Sequence, residues 1–328
     1  METSFLYPRE SCTRQVKDLS GLWEFQMDKA HTGRQNGWEN GLPHSIPMAV
    51  PSSFNDIFTD KDSRDFVGDL WYETSFFLPQ EWSEKDVFLR FGSATHQADV
   101  WVNGLHVGSH TGGFMPFLCR LNDAAVFGGR NRVVVAVNNE LSYTTIPCGT
   151  VKTMPDGKKQ LTPFFDFFNY AGLNRPVWLM ALPAKAITDI TVIPSIEGKD
   201  GVLSYHIQAT GQEISVELLD HTRKVVCRAD GAVGTLKVKN AILWHPDHPY
   251  LYTLSVKLSD NNILLDEYEL ETGIRTISVS GNRILLNGAP IYLKGFGKHE
   301  DSAYRGRGYD PAVLLRDMDC LLYTSRCV

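Results

Sequence analysis

Hydrophobic and polar positions alternate over short stretches along most of the chain up to about residue 280. These stretches are rich in β-branched and aromatic residues and are bounded by Gly, Pro and Asn, a pattern that predicts β-strands. Within the first 140 residues the strongest stretches are 70–79, 86–94, 98–104 and 131–139. Asn103-Gly104, in "WVNGLHVG", supplies the two positive-φ positions of a type I′ turn and predicts a tight hairpin. Many short strands at this spacing predict a β-sandwich.

A second group of strands follows a joint near "ALPAKAITDITVIPSI" (181–196), where Pro183 lies among small residues. The segments that follow include "GVLSYHIQAT", "EISVELLD" and "YLYTLSVKLS", of which the last alternates most cleanly. A unit of about 90 residues built from such strands has the size of an immunoglobulin-like sandwich.

The pattern changes again after residue 272. "ISVSGNRILLNG" predicts a hairpin, and the apolar stretch "IYLKGFG" predicts a strand after it. "DPAVLLRDMDCLL" has helical spacing, and one face of that helix can hold Val313, Leu314, Met318, Leu321 and Leu322. A strand followed by a helix predicts the opening of a βα unit.

Composition and charge restrict the class of protein further. The chain has 328 residues, of which 43% are hydrophobic and 21% charged, and a formal net charge of −6 without long runs. We therefore expect a globular protein that does not bind nucleic acid. The start lacks the apolar region of a signal peptide, and no apolar run approaches the ~20 residues of a membrane span, so we expect no membrane association.

The six cysteines are scattered and form no C-x-x-C pair. We therefore expect neither a zinc site nor a redox motif, and a cytoplasmic location. We also expect no other metal and no cofactor.

One carboxylate stands out. In "FFDFFNYAGLNRPVWL" (164–179), Asp166 lies within a run of four phenylalanines. Burying an unpaired carboxylate costs several kcal/mol, so Asp166 needs a partner or a path to solvent. Two interpretations are open: a turn aspartate that caps neighbouring backbone amides, or a ligand-binding side chain.

Several segments, taken in order, resemble the bacterial β-glucuronidases of glycoside hydrolase family two. They are "GLWEFQMD", "VPSSFND", "GDLWYETSFFLP", "TGGFMPF", "NNELSYTTIP", "FFDFFNYAGLNRPV", "GIRTISV" and "GFGKHEDSAYRGRGYD". The resemblance implies a mainly β chain: a jelly-roll sugar-binding domain, an immunoglobulin-like sandwich and the truncated start of a (β/α)8 barrel. The expected bounds are 1–182, 183–275 and 276–319, followed by a foreign tail at 320–328.

The resemblance also implies a function: a retaining glycosidase that releases glucuronic acid from β-D-glucuronides, with two carboxyls ~5–5.5 Å apart. It implies that Asp166 hydrogen-bonds sugar hydroxyls and that His299, in "GFGKHED", lies near the substrate. The alternative for His299 is a histidine satisfied by a local hydrogen bond. Phe165 departs from some relatives, which have His before this Asp.

Other acidic residues are less suited to catalysis. Glu300 and Asp301 are consecutive, so on a strand they would point to opposite faces. Glu140 follows Asn139, as the acid/base Glu of the family follows an Asn, but it lies in the first sandwich and no Pro follows it.

Length limits what these residues can do. About 52 residues follow position 276 (328 − 276), whereas a (β/α)8 barrel needs ~200 or more. We therefore expect both catalytic Glu residues to lie beyond residue 328 and the chain as given to be inactive alone. The full-length parent is expected to be a homo-oligomer. The alternatives are a stand-alone carbohydrate-binding module and a β-galactosidase or β-mannosidase sibling.

Overall fold

The computed structural model describes residues 6–211 and 213–326, and side chains as far as residue 321. Leu322 of the predicted helix face, and residues 327 and 328 of the predicted tail, therefore lie outside what is described. Contacts divide the chain into two units. The sandwich unit comprises Lys17–Met180 and Lys298–Val328, and the second unit comprises Met1–Val16 and Ala181–Gly297. The predicted domain bounds stay a prediction.

The sandwich unit contains most of the first twelve strands and a short helix, α1 (Lys61–Arg64). The strands are β1 (Gln15–Asp18), β2 (Gly21–Met27), β3 (Ile46–Val50), β4 (Asp69–Leu78), β5 (Asp86–Phe91), β6 (Gln97–Val102), β7 (Leu105–Thr111), β8 (Phe117–Arg120), β9 (Gly129–Asn138), β10 (Gly149–Thr153), β11 (Lys159–Pro163) and β12 (Val177–Leu182). They form a six-stranded sheet, β3-β2-β4-β9-β6-β7, a four-stranded sheet, β1-β12-β5-β8, and the separate hairpin β10-β11.

The core of the sandwich unit is aromatic and aliphatic. Trp71 in β4 packs edge-on against Trp38 and stacks on Trp101, with ring centroids 5.8 and 5.5 Å away. Every residue of β5 is buried, which explains its nearly continuous apolar sequence. The predicted hairpin turn is confirmed, since Asn103 and Gly104 have φ values of 52° and 81°.

Seven of the strands described in the second unit form two facing sheets. They are β13 (Ile187–Glu197), β14 (Asp200–Ala209), β15 (Glu213–Leu219), β16 (Val225–Asp230), β17 (Val233–Val238), β18 (Tyr252–Asp260) and β19 (Ile263–Thr272). The sheets have the orders β13-β14-β17 and β16-β15-β18-β19, a three-plus-four arrangement typical of immunoglobulin-like sandwiches. Alternate residues of β14 (Leu203, Tyr205 and Ile207) point into the core, as the alternating sequence predicts.

The predicted hairpin after residue 276 is confirmed. It consists of β20 (Ile277–Ser280) and β21 (Arg283–Leu286), with β22 (Ala289–Pro290) added at its edge. The predicted strand "IYLKGFG" is wrong: residues 291–300 form no strand, and the one backbone bond to β21 is that of the Ile291 N–H to the Ile284 carbonyl, at 3.1 Å, within the described chain. A parallel barrel strand needs a ladder on both sides, and residues 292–297 form no such ladder in the described part of the chain. Tyr292 is 84% exposed as a result.

The predicted helix is present as α2 (Pro311–Arg326). Asp310 begins it by accepting hydrogen bonds from the backbone N–H groups of Ala312 and Val313, at 3.0 and 3.2 Å. Of the predicted apolar face, Val313 is half-buried, whereas Met318 is exposed. Among the residues described, no helix is long and apolar enough to cross a membrane.

Candidate functional site

Asp166 lies in a bend that follows β11. Its side chain is exposed and makes no hydrogen bond with any residue that the structure describes. The rings of Phe165 and Phe167, on either side, lie 4.3 Å apart between centroids and pack on each other. The bend therefore presents a solvated carboxylate between aromatic rings, with no capping bond of the kind that a turn aspartate would make.

The end of this loop is fixed by Asn169. Its Oδ1 accepts from Nε2 of the buried His96 at 2.7 Å, and its Nδ2 donates to the Asn139 carbonyl at 3.1 Å. Burial lowers the pKa of His96, and the nearby positive charge of Arg307 lowers it further, against the opposite effect of Asn169. The neutral imidazole is therefore favoured, and it holds the loop three residues from Asp166.

Further hydrogen bonds of buried side chains hold the residues that follow Asn169. Asn55 Oδ1 accepts from the Ala171 N–H at 2.9 Å. Asn174 Nδ2 donates to Thr95 Oγ1 at 3.0 Å, and Asn174 Oδ1 accepts from Ser53 Oγ at 3.2 Å. All four of these polar side chains are buried, so their mutual bonding removes most of the cost of burying them. The result is a rigid platform beneath residues 169–175.

Gly172 allows residues 169–175 to approach Ser52 and Tyr72 closely. Its φ is 121°, and a Cβ there would lie 2.5 Å from Tyr72 Oη and 3.2 Å from the Ser52 carbonyl. Only glycine combines that backbone conformation with so close an approach.

Residues 302–310, "SAYRGRGYD", lie on the same platform. The Arg305 carbonyl accepts from the Ser53 N–H at 2.9 Å, and the Tyr309 N–H donates to the Asn174 carbonyl at 2.9 Å. Gly308 passes so close that a Cβ would lie 2.5 Å from Ser52 Cα. The segment that follows His299 is thus held by backbone contacts to the sandwich.

Glu300 and Asp301 each have a partner of their own. Arg175 Nη2 donates to Glu300 Oε1 at 2.5 Å, and Tyr170 Oη donates to Asp301 Oδ2 at 3.2 Å. Burial and the charges of Asp56 and Asp301 raise the pKa of Tyr170 to about 12. Each of the two carboxylates is therefore bonded to a side chain of the segment 170–175.

Glu140 also has a structural contact, since its Oε1 lies 2.5 Å from Lys159 Nζ. His299 is exposed, and its side chain forms no hydrogen bond within the described residues, so a locally satisfied histidine is not what the structure contains. Asp166 and His299 both belong to the sandwich unit. No hydrogen bond joins their side chains in the described part of the chain, but the segments next to them are bonded to each other.

A cleft of about 670 Å³ lies on the side of the loop lined by Phe167 and Phe168. Its other walls include the cations Lys61, Arg64, Lys158 and Lys159. Each of these is paired with an acid: respectively Asp65, Asp56, Asp62 and Glu140. Each cation beside the cleft is therefore partly neutralised by a carboxylate.

Sequence reasoning missed the platform residues, chiefly His96, Asn174 and Arg175. Their partners lie far away along the chain; Asn174 and Thr95, for example, are 79 positions apart. The available signal was the density of Asn and Arg in "NYAGLNR", in an otherwise apolar stretch.

Comparison with known families agrees with this geometry. The sugar-binding domain of the glycosyl hydrolases family 2 matches residues 16–183, more than half of the chain. The chain belongs to this family. A second family 2 domain matches residues 185–275, and the family's TIM barrel domain matches residues 277–325. The family resemblance and the mainly β fold class are thereby confirmed.

Individual relatives of this family 2 chain are β-glucuronidases. One from Paenibacillus borealis is 46% identical over 98% of the chain and 55% of its own length, and one from Canis lupus familiaris is 42% identical over 98% and 54%. The Ruminococcus gnavus β-glucuronidase in complex with D-glucuronic acid superposes with a TM-score of 0.96, at 46% identity, over 99% of this chain and 57% of that one. The chain spans about half the length of the relatives it matches.

Proposed function

We propose that the protein is a β-glucuronidase-type retaining glycoside hydrolase that releases glucuronic acid from β-D-glucuronides. The observation that carries the proposal is the likeness to the Ruminococcus gnavus enzyme, which binds D-glucuronic acid and matches 99% of this chain at 46% identity. The exposed carboxylate on an anchored aromatic loop supports it, because sugar hydroxyls are donors and a carboxylate accepts from two of them at once.

In this proposal Asp166 binds sugar hydroxyls, and its neighbouring phenylalanines wall the pocket. His299 lies near the substrate and orients it. The retaining reaction needs an acid/base carboxyl and a nucleophile ~5–5.5 Å apart. Glu140, Glu300 and Asp301 are already bonded to other groups, so we assign both catalytic carboxyls to the remainder of the barrel domain, whose start matches residues 277–325.

The test is an assay of a polypeptide in which residues 1–319 are followed by the rest of the barrel domain, so that the barrel is complete. We expect hydrolysis of a fluorogenic β-glucuronide at least about 100-fold faster than that of the matching β-galactoside, because buried polar groups that recognise one substituent strongly reject its analogue. Preference for the galactoside or mannoside would favour a sibling enzyme. Binding of D-glucuronic acid without turnover would favour a carbohydrate-binding module. The homo-oligomeric state and the cytoplasmic location stay predictions.

A further inference from the structure

Two side-chain contacts connect the Asp166 loop to the segment that carries His299. Tyr170, four residues after Asp166, donates to Asp301 at 3.2 Å. Arg175 donates to Glu300, the residue that directly follows His299, at 2.5 Å. Both bonds lie within the sandwich unit, so each connects two parts of one compact body.

We propose that these two contacts form a latch that fixes His299 relative to Asp166, and that Tyr170, Arg175, Glu300 and Asp301 are positioning residues for the sugar site. The inference rests on the proposed function, because it assigns the latch an effect on the substrate held between those two side chains.

The guanidinium of Arg175 is held from several directions. Besides Glu300, Nη1 donates to the carbonyls of Asn174 and Arg307, at 3.2 and 3.3 Å, and the group lies over the Tyr309 ring, 5.8 Å from its centroid. A planar group with several fixed partners has one orientation. Its bond to Glu300 therefore has a defined direction, although the Glu300 side chain is 44% exposed.

Glu300 is likewise held from two sides. Oε1 accepts from Arg175, whereas Oε2 lies 3.7 Å from Arg307 Nε. Arg307 is itself placed over the Phe114 ring, 4.6 Å from the centroid, and its backbone N–H donates to Ser53 Oγ at 3.0 Å. The carboxylate is thus fixed between two arginines that are both anchored on the platform.

The latch matters for His299 because residues 291–300 form no strand ladder in the described chain. Backbone hydrogen bonding to the sandwich is established only in the segment 302–310. Lys298, on the other side of His299, donates to the His299 carbonyl at 3.1 Å and pairs with Asp317 of α2 at 2.9 Å. The side chains of Glu300 and Asp301 are the groups next to His299 that connect it to the loop after Asp166. A displacement of about 1 Å in a positioning group can lower a rate about 100-fold.

The experiment uses a polypeptide in which residues 1–319 are followed by the rest of the barrel domain, so that the barrel is complete. Tyr170→Phe removes one hydroxyl, and Glu300→Gln removes one charge while keeping the shape of the side chain. We expect each change to lower kcat/KM about 10- to 100-fold. The matched control is Arg132→Met, which breaks a 3.1 Å ion pair with Glu73 on the six-stranded sheet and should leave kcat/KM within about twofold.

A second readout separates positioning from simple stabilisation. A positioning defect should weaken inhibition by D-glucaro 1,5-lactone more than inhibition by D-glucuronic acid, if the lactone resembles the flattened transition state and the acid the product. A purely structural latch would lower the unfolding midpoint and leave that ratio and kcat/KM unchanged, and this result would overturn the inference.

The contacts can also be tested apart from hydrolysis. In a polypeptide of residues 1–328, Arg175→Met and Glu300→Gln should be non-additive in unfolding, so that the double variant shifts the midpoint by less than the sum of the single shifts. Additive shifts would overturn the latch itself. If the wild-type enzyme does not hydrolyse glucuronides while the shifts remain non-additive, the proposed function is wrong and the latch stands as a structural contact alone.

Discussion

The second unit depends on a buried ion pair that can be broken in a controlled way. Arg14 and Asp266 are 2% and 0% exposed. Arg14 Nε lies 2.9 Å from Asp266 Oδ1, and Nη2 lies 2.5 Å from Oδ2. Asp266 also accepts from Thr13 Oγ1 at 2.9 Å and from the Ile187 N–H at 2.8 Å. One carboxylate therefore connects the N-terminal segment to β13 and β19.

Asp266→Asn would leave the guanidinium of Arg14 buried without a counter-charge. Removing one member of a buried pair typically costs about 3–5 kcal/mol, because the remaining charge stays desolvated. Native domains have only about 5–15 kcal/mol of stability, so the second unit should lose a large part of its own. The double variant Arg14→Met/Asp266→Asn leaves no charge at this pair and keeps one carbonyl acceptor at position 266. We expect it to be more stable than Asp266→Asn alone by at least about 1 kcal/mol.

Hydrogen exchange measured peptide by peptide across a urea series is the suitable assay, since it reports on each unit separately. Peptides from β13 and β19 should lose protection at lower urea in Asp266→Asn, whereas peptides from β4 in the sandwich unit should not change. The reasoning is refuted if the double variant is as unstable as the sum of the two single changes predicts, because the two charges would then be energetically independent.

Three further predictions concern the sandwich unit and the segment after it. With the complete barrel domain present, Asp166→Asn should cost about 1.5–3 kcal/mol in transition-state binding, roughly 10- to 150-fold in kcat/KM on a glucuronide. The control Asp123→Asn, at a carboxylate that is 98% exposed, should leave kcat/KM unchanged. Equal kinetics of the two variants would show that Asp166 is a turn residue. Because the pKa of His96 is lowered, the unfolded chain takes up a proton near pH 6.5 before the folded chain does, so the stability should fall as the pH drops from about 6.5 towards the folded pKa. His96→Gln should reduce this dependence of the unfolding free energy on pH, measured by urea titrations at pH 7 and 5. An unchanged pH dependence would count against the role of His96. A polypeptide of residues 1–328 should not hydrolyse glucuronides above a no-enzyme blank. Brief proteolysis of it should cut within residues 291–297, to which the described chain assigns no strand, before it cuts within 302–310. Equal protection of the two segments would contradict the structure.

Local sequence patterns predicted the elements that form through interactions between residues close together in the sequence. β4, predicted at 70–79 and observed at Asp69–Leu78, alternates and is bounded by turn residues. Asn103 and Gly104 adopt positive φ because the twist of a two-residue hairpin requires it. In such cases neighbouring residues supply the interaction that determines the element.

The prediction failed where the deciding interaction comes from another segment. "IYLKGFG" has the composition of a barrel strand, but a strand exists only when a neighbour completes its hydrogen bonds. The platform beneath residues 169–175 could not be read from the sequence for the same reason. His96 and Asn169 are 73 positions apart, and nothing local indicates that they meet.

The aromatic run around Asp166 suggested that a carboxylate would be buried at a cost in free energy, and the structure avoids that cost. The rings of Phe165 and Phe167 pack on each other, and the carboxylate between them stays solvated, so no desolvation penalty arises at Asp166. The hydrogen-bonded amides are at other positions. The half-buried Asn169 and the buried Asn174 follow a few residues further on, and the buried Asn55 comes from a distant part of the chain. Anchoring and ligand binding are therefore divided between neighbouring positions. Rigidity comes from satisfied buried amides, and an unpaired carboxylate remains available to a sugar, whose hydroxyls would replace water at modest cost.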